Sequence, residues 1–276
     1  MTSRIKLGSA VTVLSSDDPI RVFQRFSTLD AVSNGRAEAI LGRGSFTESF
    51  PLFGFSLSDY ETLFQEKLDL FSDLLEQRPV SWSGTTRPPL SEQSVFPHVE
   101  TGRLKTWIGV GGSPNSVIRA AQYRLPLMLA IIGGSPYRFK PYVDLYHEAT
   151  RKLGFEPLPF GIHSPGYIAD SDEQARDEFW PHYRAMRDRI GKERGWGPIT
   201  MDEYVAEIEN GSLYVGSAET VAAKLAPVLH TLGAERFQLK YSAGTLPHTY
   251  LMQSIRLYGE EVIPAVKAQL ASKEAA

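Results

Sequence analysis

An α/β fold with a parallel sheet and helical crossovers is predicted for this 276-residue chain by two features: β-type apolar runs alternate with segments of helical period, and the joints carry helix-capping residues. Six of the runs are strong strand candidates. A closed barrel of this class needs eight strands, and the first strand here comes almost at once, so the order of elements predicts a barrel without its first repeats.

The first run spans Ile5 to Leu14. Asp17, Asp18 and Pro19 open a helix that Asn34-Gly35 closes, with Val22, Phe23, Phe26 and Leu29 on one face. The run Ala37 to Leu41 leads into a loop rich in Gly, Ser and Phe. Ser58 with Glu61 three residues on has the form of a capping box, opening a helix whose buried stripe is Tyr60, Leu63, Phe64, Phe71, Leu74 and Leu75. Residues 78–102, rich in Pro and Ser, read as a surface excursion. Then come Thr106 to Val110 with a helix, Leu125 to Ile132 with a helix near 139–153, and Pro159 to Ala169 with a helix from Ser171 to Ile190. Residues 193–210 read as an irregular insertion with a short helical segment near Met201 to Glu209. Tyr214-Val215-Gly216 precedes a helix capped by Ser217, and Arg236 to Tyr241 precedes a final helix near 249–270. The whole is expected to be one domain, with only the 273–276 tail reading as disordered.

Composition excludes several classes of function. With 42% hydrophobic and 22% charged residues the chain can bury a sizeable core. A formal charge of −3 lacks the basic excess of a nucleic-acid binder. Zero cysteines exclude disulfides, thiolate metal sites and a cysteine nucleophile. The longest apolar run, 125–132, is too short to span a membrane, so a cytoplasmic protein is the default expectation. The six histidines are scattered, and there is no Walker A motif, G-x-S-x-G elbow, H-E-x-x-H or surviving G-x-G-x-x-G. No metal site is expected, and no catalytic acid or base is assigned. His163, within a strand run, is read as structural.

Two stretches point to an anion. In TWIGVGGSPNSVIRAA (Thr106 to Ala121) a strand runs into Gly111-Gly112, Ser113 stands as N-cap and Pro114 at the first helical position. The first turn offers Asn115 and Ser116 in place of the acids that usually answer the helix dipole, which leaves a positive end for a phosphate. An ordinary capped turn would read the same locally. In the second stretch, Gly42-Arg43-Gly44 follows a strand and frees the Arg43 fork for a phosphate or carboxylate.

The order and wording of the chain resemble the bacterial luciferase-like, flavin-dependent monooxygenase family over nearly its whole length. The resemblance rests on LGSAVTVLSSDDPIRVFQRFSTLDAVSNGRAEAILGRGSFTESFPLFG (7–54), IGVGGSPNSVIRAAQ (108–122), IIGGSPYRF (131–139) and LYVGSAETVAAKL (213–225). It implies a TIM-type (β/α)8 barrel, incomplete at its N-terminus by two βα units. It also implies an enzyme that uses reduced FMN as co-substrate, with oxygen, to oxidise a small organic substrate. Arg43 matches an arginine that grips the flavin phosphate, and Asn115 and Ser116 match the helix start that completes that site, next to the Gly112 turn and the Ser113 N-cap read above. Ala10-Val11 matches a strand end where the family can hold a non-proline cis peptide against the flavin ring, with Gly42, Phe46 and Ser49 lining the ring pocket. Asn115 departs from luciferase, which has an acid there. A separate flavin reductase and a homodimer covering the open sheet edges are the implied partners. A deazaflavin coenzyme on the same fold, and a non-catalytic flavin-binding barrel, are the alternatives.

Overall fold

The computed structural model describes residues 2–44, 46–100 and 102–274. It comprises two compact units, Met1–Met128 with Ala149–Leu158, and Leu129–Glu148 with Pro159–Ala276.

In the first unit β1 (Leu7–Val13) is followed by α1 (Pro19–Ser33), β2 (Ala37–Gly42), α2 (Ser49–Leu52), α3 (Tyr60–Leu74), β3 (Val80–Trp82), β4 (Leu90–Gln93), β5 (Lys105–Val110) and α4 (Pro114–Gln122). β2 lies between β1 and β5 and is parallel to both, with Ala10 opposite Ile40 and Ile40 opposite Trp107. Every residue of β2 is buried, as a central strand covered on both faces should be. The β1 register shifts between Ala10 and Thr12, which singles out Val11. α1 begins where the sequence places it: Asp18 accepts from the amides of Ile20 (2.9 Å) and Arg21 (3.2 Å), and Asn34 ends the helix in the left-handed region. Phe23 of α1 meets Phe71 of α3 edge-on at 6.4 Å.

Two expectations are corrected here. The capping box at Ser58 does not form, because residues 57–59 make a 3-10 turn capped by Ser56 and the Glu61 carboxylate is engaged by arginines. The 78–102 excursion is not irregular throughout, since β3 and β4 pair as an antiparallel hairpin. Glu66 of α3 ties that hairpin down, accepting from the Thr85 amide (2.9 Å), the Thr85 hydroxyl (2.8 Å) and the Thr86 amide (2.8 Å).

The chain leaves the first unit within β6 (Leu127–Ala130) and re-enters it at the end of α5 (Lys140–Lys152). The second unit goes on with β7 (Phe160–Ile168), α6 (Asp172–Arg194), α7 (Met201–Glu209), β8 (Tyr214–Gly216), α8 (Ala218–Leu232), β9 (Arg236–Lys240), α9 (His248–Leu257) and α10 (Ile263–Glu274). β7 is long enough to pair twice, in parallel with β9 through 161–165 and with β8 through 166–168. Its core stacks Tyr167 on Phe179 at 5.4 Å and sets Tyr204 against Tyr183 at 5.5 Å. The 193–210 segment is more regular than expected: α6 continues to Arg194, and Thr200 and Glu203 form a complete capping box for α7. Lys273 and Glu274 belong to α10, and residues 275–276 lie outside the described residues. Both units are parallel α/β, and the barrel pattern is incomplete, as the sequence predicts.

Candidate functional site

The carboxyl ends of β1, β2 and β5 meet at one side chain. A Cβ at Gly42 would lie 2.9 Å from Val11 Cγ2, and one at Gly109 would lie 2.9 Å from Val11 Cγ1. Only glycine at both positions lets Val11 settle onto the neighbouring strands, and its outer side stays 40% exposed. The peptide bond entering Val11, Ala10-Val11, is cis, as the resemblance implied.

Arg43 leaves the end of β2 beside this floor. It pairs with Glu61 of α3, and its guanidinium lies 5.2 Å from the Tyr60 ring centre. Tyr60 donates its hydroxyl to the Gly44 carbonyl (2.8 Å), and burial raises its pKa against the opposing pull of Arg43. Arg119 of α4 reaches the other Glu61 oxygen at 3.1 Å and lies 5.4 Å from the Phe64 ring centre. Two arginine forks from different elements therefore close on one carboxylate, and the sequence reading had found only one of them. The signal for Arg119 was its spacing, three residues after Ser116 on a helix.

On α4, Ser116 is buried, and neither its hydroxyl nor the Nη1 of Arg119 has a hydrogen-bond partner. Gly112 has φ +107, and open space surrounds the place where a Gly111 side chain would be. Ser113 does occupy the N-cap position, but its side chain makes no capping bond. Its carbonyl takes the amides of Ser116 (3.1 Å) and Val117 (3.2 Å), so neither of these two amides is free for a ligand. Asn115 is exposed. Phe46 is 51% exposed on its loop. The Ser49 hydroxyl is buried without a partner, and Ser49 lines a cavity of about 710 Å³ in the first unit that sequence reading missed.

His163 belongs to the second unit, in register with Gln238 of β9. Burial, with Lys240 adding to it, holds its pKa down, and its Nδ1 is buried without a partner. Among the described residues no group of three or more His, Asp or Glu side chains is placed to hold a metal ion, and no helix is long and apolar enough to cross a membrane.

A phosphorylated flavin fits the residues around Glu61. The spare donors on Ser116 and Arg119, the two arginine forks and the open backbone at Gly111 suit a phosphate, and the exposed apolar face of Val11 suits a planar ring.

Comparison with known proteins agrees with this reading of the fold. The chain is 26% identical over 174 residues to the alkanal monooxygenase alpha chain of the Kryptophanaron alfredi symbiont, covering 63% of this chain and 48% of that one. It thus spans about half the length of that curated relative. Among solved structures, monooxygenase RslO1 from Streptomyces bottropensis superposes with a TM-score of 0.80 at 21% identity, covering 95% of this chain and 79% of that one. The oxygenating constituent of 3,6-diketocamphane monooxygenase from Pseudomonas putida, in complex with FMN, gives 0.72 at 17% identity over the same shares. An F420-dependent secondary alcohol dehydrogenase also gives 0.72 at 17%, again covering 95% and 79%. Residues 1–236 match the family model described as luciferase-like monooxygenase, and this chain belongs to that family.

Proposed function

We propose that the protein binds reduced FMN as a co-substrate and, with molecular oxygen, oxidises a small organic substrate. The observation that carries this reading is the convergence of Arg43 and Arg119 on Glu61, beside a glycine turn and the unpartnered Ser116 hydroxyl. Glu61 is 59% exposed, so its carboxylate can swing into solvent at small cost and leave both forks to a phosphate. Ser113, Asn115 and the Gly112 backbone then complete the phosphate side. Val11, seated on Gly42 and Gly109 and joined to Ala10, is the floor for the ring, with Phe46 and Ser49 nearby in the chain. When bound, the flavin supplies the redox chemistry. The chain's own part is to fix the phosphate by charge, to orient the ring against Val11 and to keep water from its reactive face. A separate reductase delivers the reduced flavin, and a homodimer is the working form.

Titration with FMN, using riboflavin as the phosphate-free comparison, tests the reading. FMN should bind at least tenfold more tightly than riboflavin, the worth of one charge-assisted contact of about 1.5 kcal/mol or more. Equal affinities would remove the phosphate from this site. A deazaflavin coenzyme on the same grip, supported by the F420-dependent neighbour, is the second reading; oxygen uptake with reduced FMN favours the first and its absence the second.

A further inference from the structure

A cavity in the first unit lies apart from the residues proposed to hold the flavin phosphate. It begins at Thr12 and Val13 of β1 and extends between α1, the loop after α2 and the turn that joins β3 to β4. Its volume, about 710 Å³, lies within the range of about 300–1,000 Å³ usual for small-molecule sites. Most of the wall is apolar, with Phe26 and Leu29 from α1 and Phe53 and Phe55 from the loop.

The charged groups at its edge are unequal. Asp17 is paired with Arg25, Asp18 caps α1, and Lys67 gives its ammonium to the Ser15 carbonyl (2.7 Å) and to the Phe55 ring (4.1 Å). Arg87 is different. It is ion-paired with Asp18, its Nε 3.4 Å from Oδ2, and its guanidinium lies 5.9 Å from the Trp82 ring centre, but neither Nε nor Nη1 makes a hydrogen bond, and its side chain is only 16% exposed. The neighbouring Thr86 hydroxyl is likewise buried and unpartnered. A shielded guanidinium with two idle donors is costly unless something accepts from it. The backbone that presents both residues is held firmly, because Glu66 takes the amides of Thr85 and Thr86. A fixed cationic fork beside a hydroxyl, at the rim of an apolar chamber, is a recognition pattern for a carboxylate on an apolar body.

We propose that this cavity binds an amphipathic carboxylate, its acid group at Arg87 and Thr86 and its apolar part among Phe26, Leu29, Phe53 and Phe55. Val13, which lines the cavity, stands two residues after Val11 on β1, and the binding does not rest on the flavin reading.

The test is calorimetric titration with decanoate and with decan-1-ol, on the full chain and on Arg87→Gln and Thr86→Val, with FMN titrated in parallel. Decanoate should bind more tightly than the alcohol, Arg87→Gln should weaken decanoate about tenfold or more while sparing the alcohol, and Thr86→Val should weaken it by a smaller factor. Equal binding of acid and alcohol, or no binding of decanoate, overturns the assignment. So does decanoate affinity unchanged in both variants. If Arg87→Gln does not fold, judged by circular dichroism, the Thr86→Val result decides alone. FMN affinity unchanged in Arg87→Gln keeps the two sites separate; loss of FMN binding in the unaltered protein with decanoate selectivity intact would sink the flavin reading and leave the cavity assignment standing.

Discussion

Glu61 shows how one residue can be misread from its neighbours and understood from its partners. Three residues after Ser58 it has the pattern of a capping box, yet its carboxylate is drawn to Arg43 and Arg119, which are distant in sequence. Two charge-assisted pairs outweigh one local cap. If Glu61 competes with a phosphate for the two forks, Glu61→Gln should tighten FMN severalfold, leave riboflavin unchanged and steepen the salt dependence of FMN binding. FMN binding weakened by the change would make Glu61 a positioning residue instead. Arg43→Ala should weaken FMN by about 1.5 to 3 kcal/mol, the usual worth of a hydrogen bond to a charged group, again with riboflavin as control. Gly42 gives a packing prediction at the same scale. A methyl group there would meet Val11 Cγ2 at 2.9 Å, so Gly42→Ala should cost about 1 to 3 kcal/mol in chemical denaturation. The turn at Gly112 and the place of Arg43 just after β2 were legible because their geometry is local. Arg119 and the engaged state of Glu61 were not, because a helix spacing does not say what stands opposite it.

At the scale of elements, period and capping chemistry recovered most of the chain. α1 starts and stops at the predicted residues, and β2, β5, β7 and β9 lie within about two residues of their expected limits. The β3–β4 hairpin escaped because its strands are short and set among Pro, Ser and Gly, and because its anchor is a side chain on another element. That anchor is Glu66. Burial alone would raise its pKa, but the hydrogen bonds from Thr85 and Thr86 outweigh it and bring the carboxyl from an ordinary 4.5 to about 2. A carboxylate depressed by folding contributes its stability above pH 4.5, and the contribution is lost as the pH falls from there through about 2. The hairpin should therefore loosen in that window before the rest of the unit melts. Trp82 sits in β3, so acid titration of tryptophan emission in variants that replace the other three tryptophans with Phe would report it. Glu66→Gln should abolish the transition; a Trp82 signal unchanged between pH 5 and 2.5 would remove the anchor from this role.

For the whole molecule, the alternation of strand and helix was enough to predict parallel α/β architecture and an incomplete barrel, because buried parallel strands with helical crossovers leave a strong periodic trace. The cavity beside β1 left no trace, since its wall is assembled from segments between Thr12 and Arg87 that no single window contains. The same strand also raises the question of assembly. Among the described residues β1 pairs with β2 on one side only, and each of its residues is half-buried or exposed. A free parallel edge offers a row of backbone donors and acceptors to any second strand, and proteins seldom leave such an edge uncovered. Pairing of this edge with a second copy of the chain would satisfy those groups in a closed, two-fold assembly. Light scattering at micromolar concentration should then give the mass of a dimer. Ser9→Lys, which places a charge on the edge strand, should shift the protein toward the monomer; a dimer that persists in this variant puts the interface on another face, and a monodisperse monomer of the unaltered chain ends the proposal.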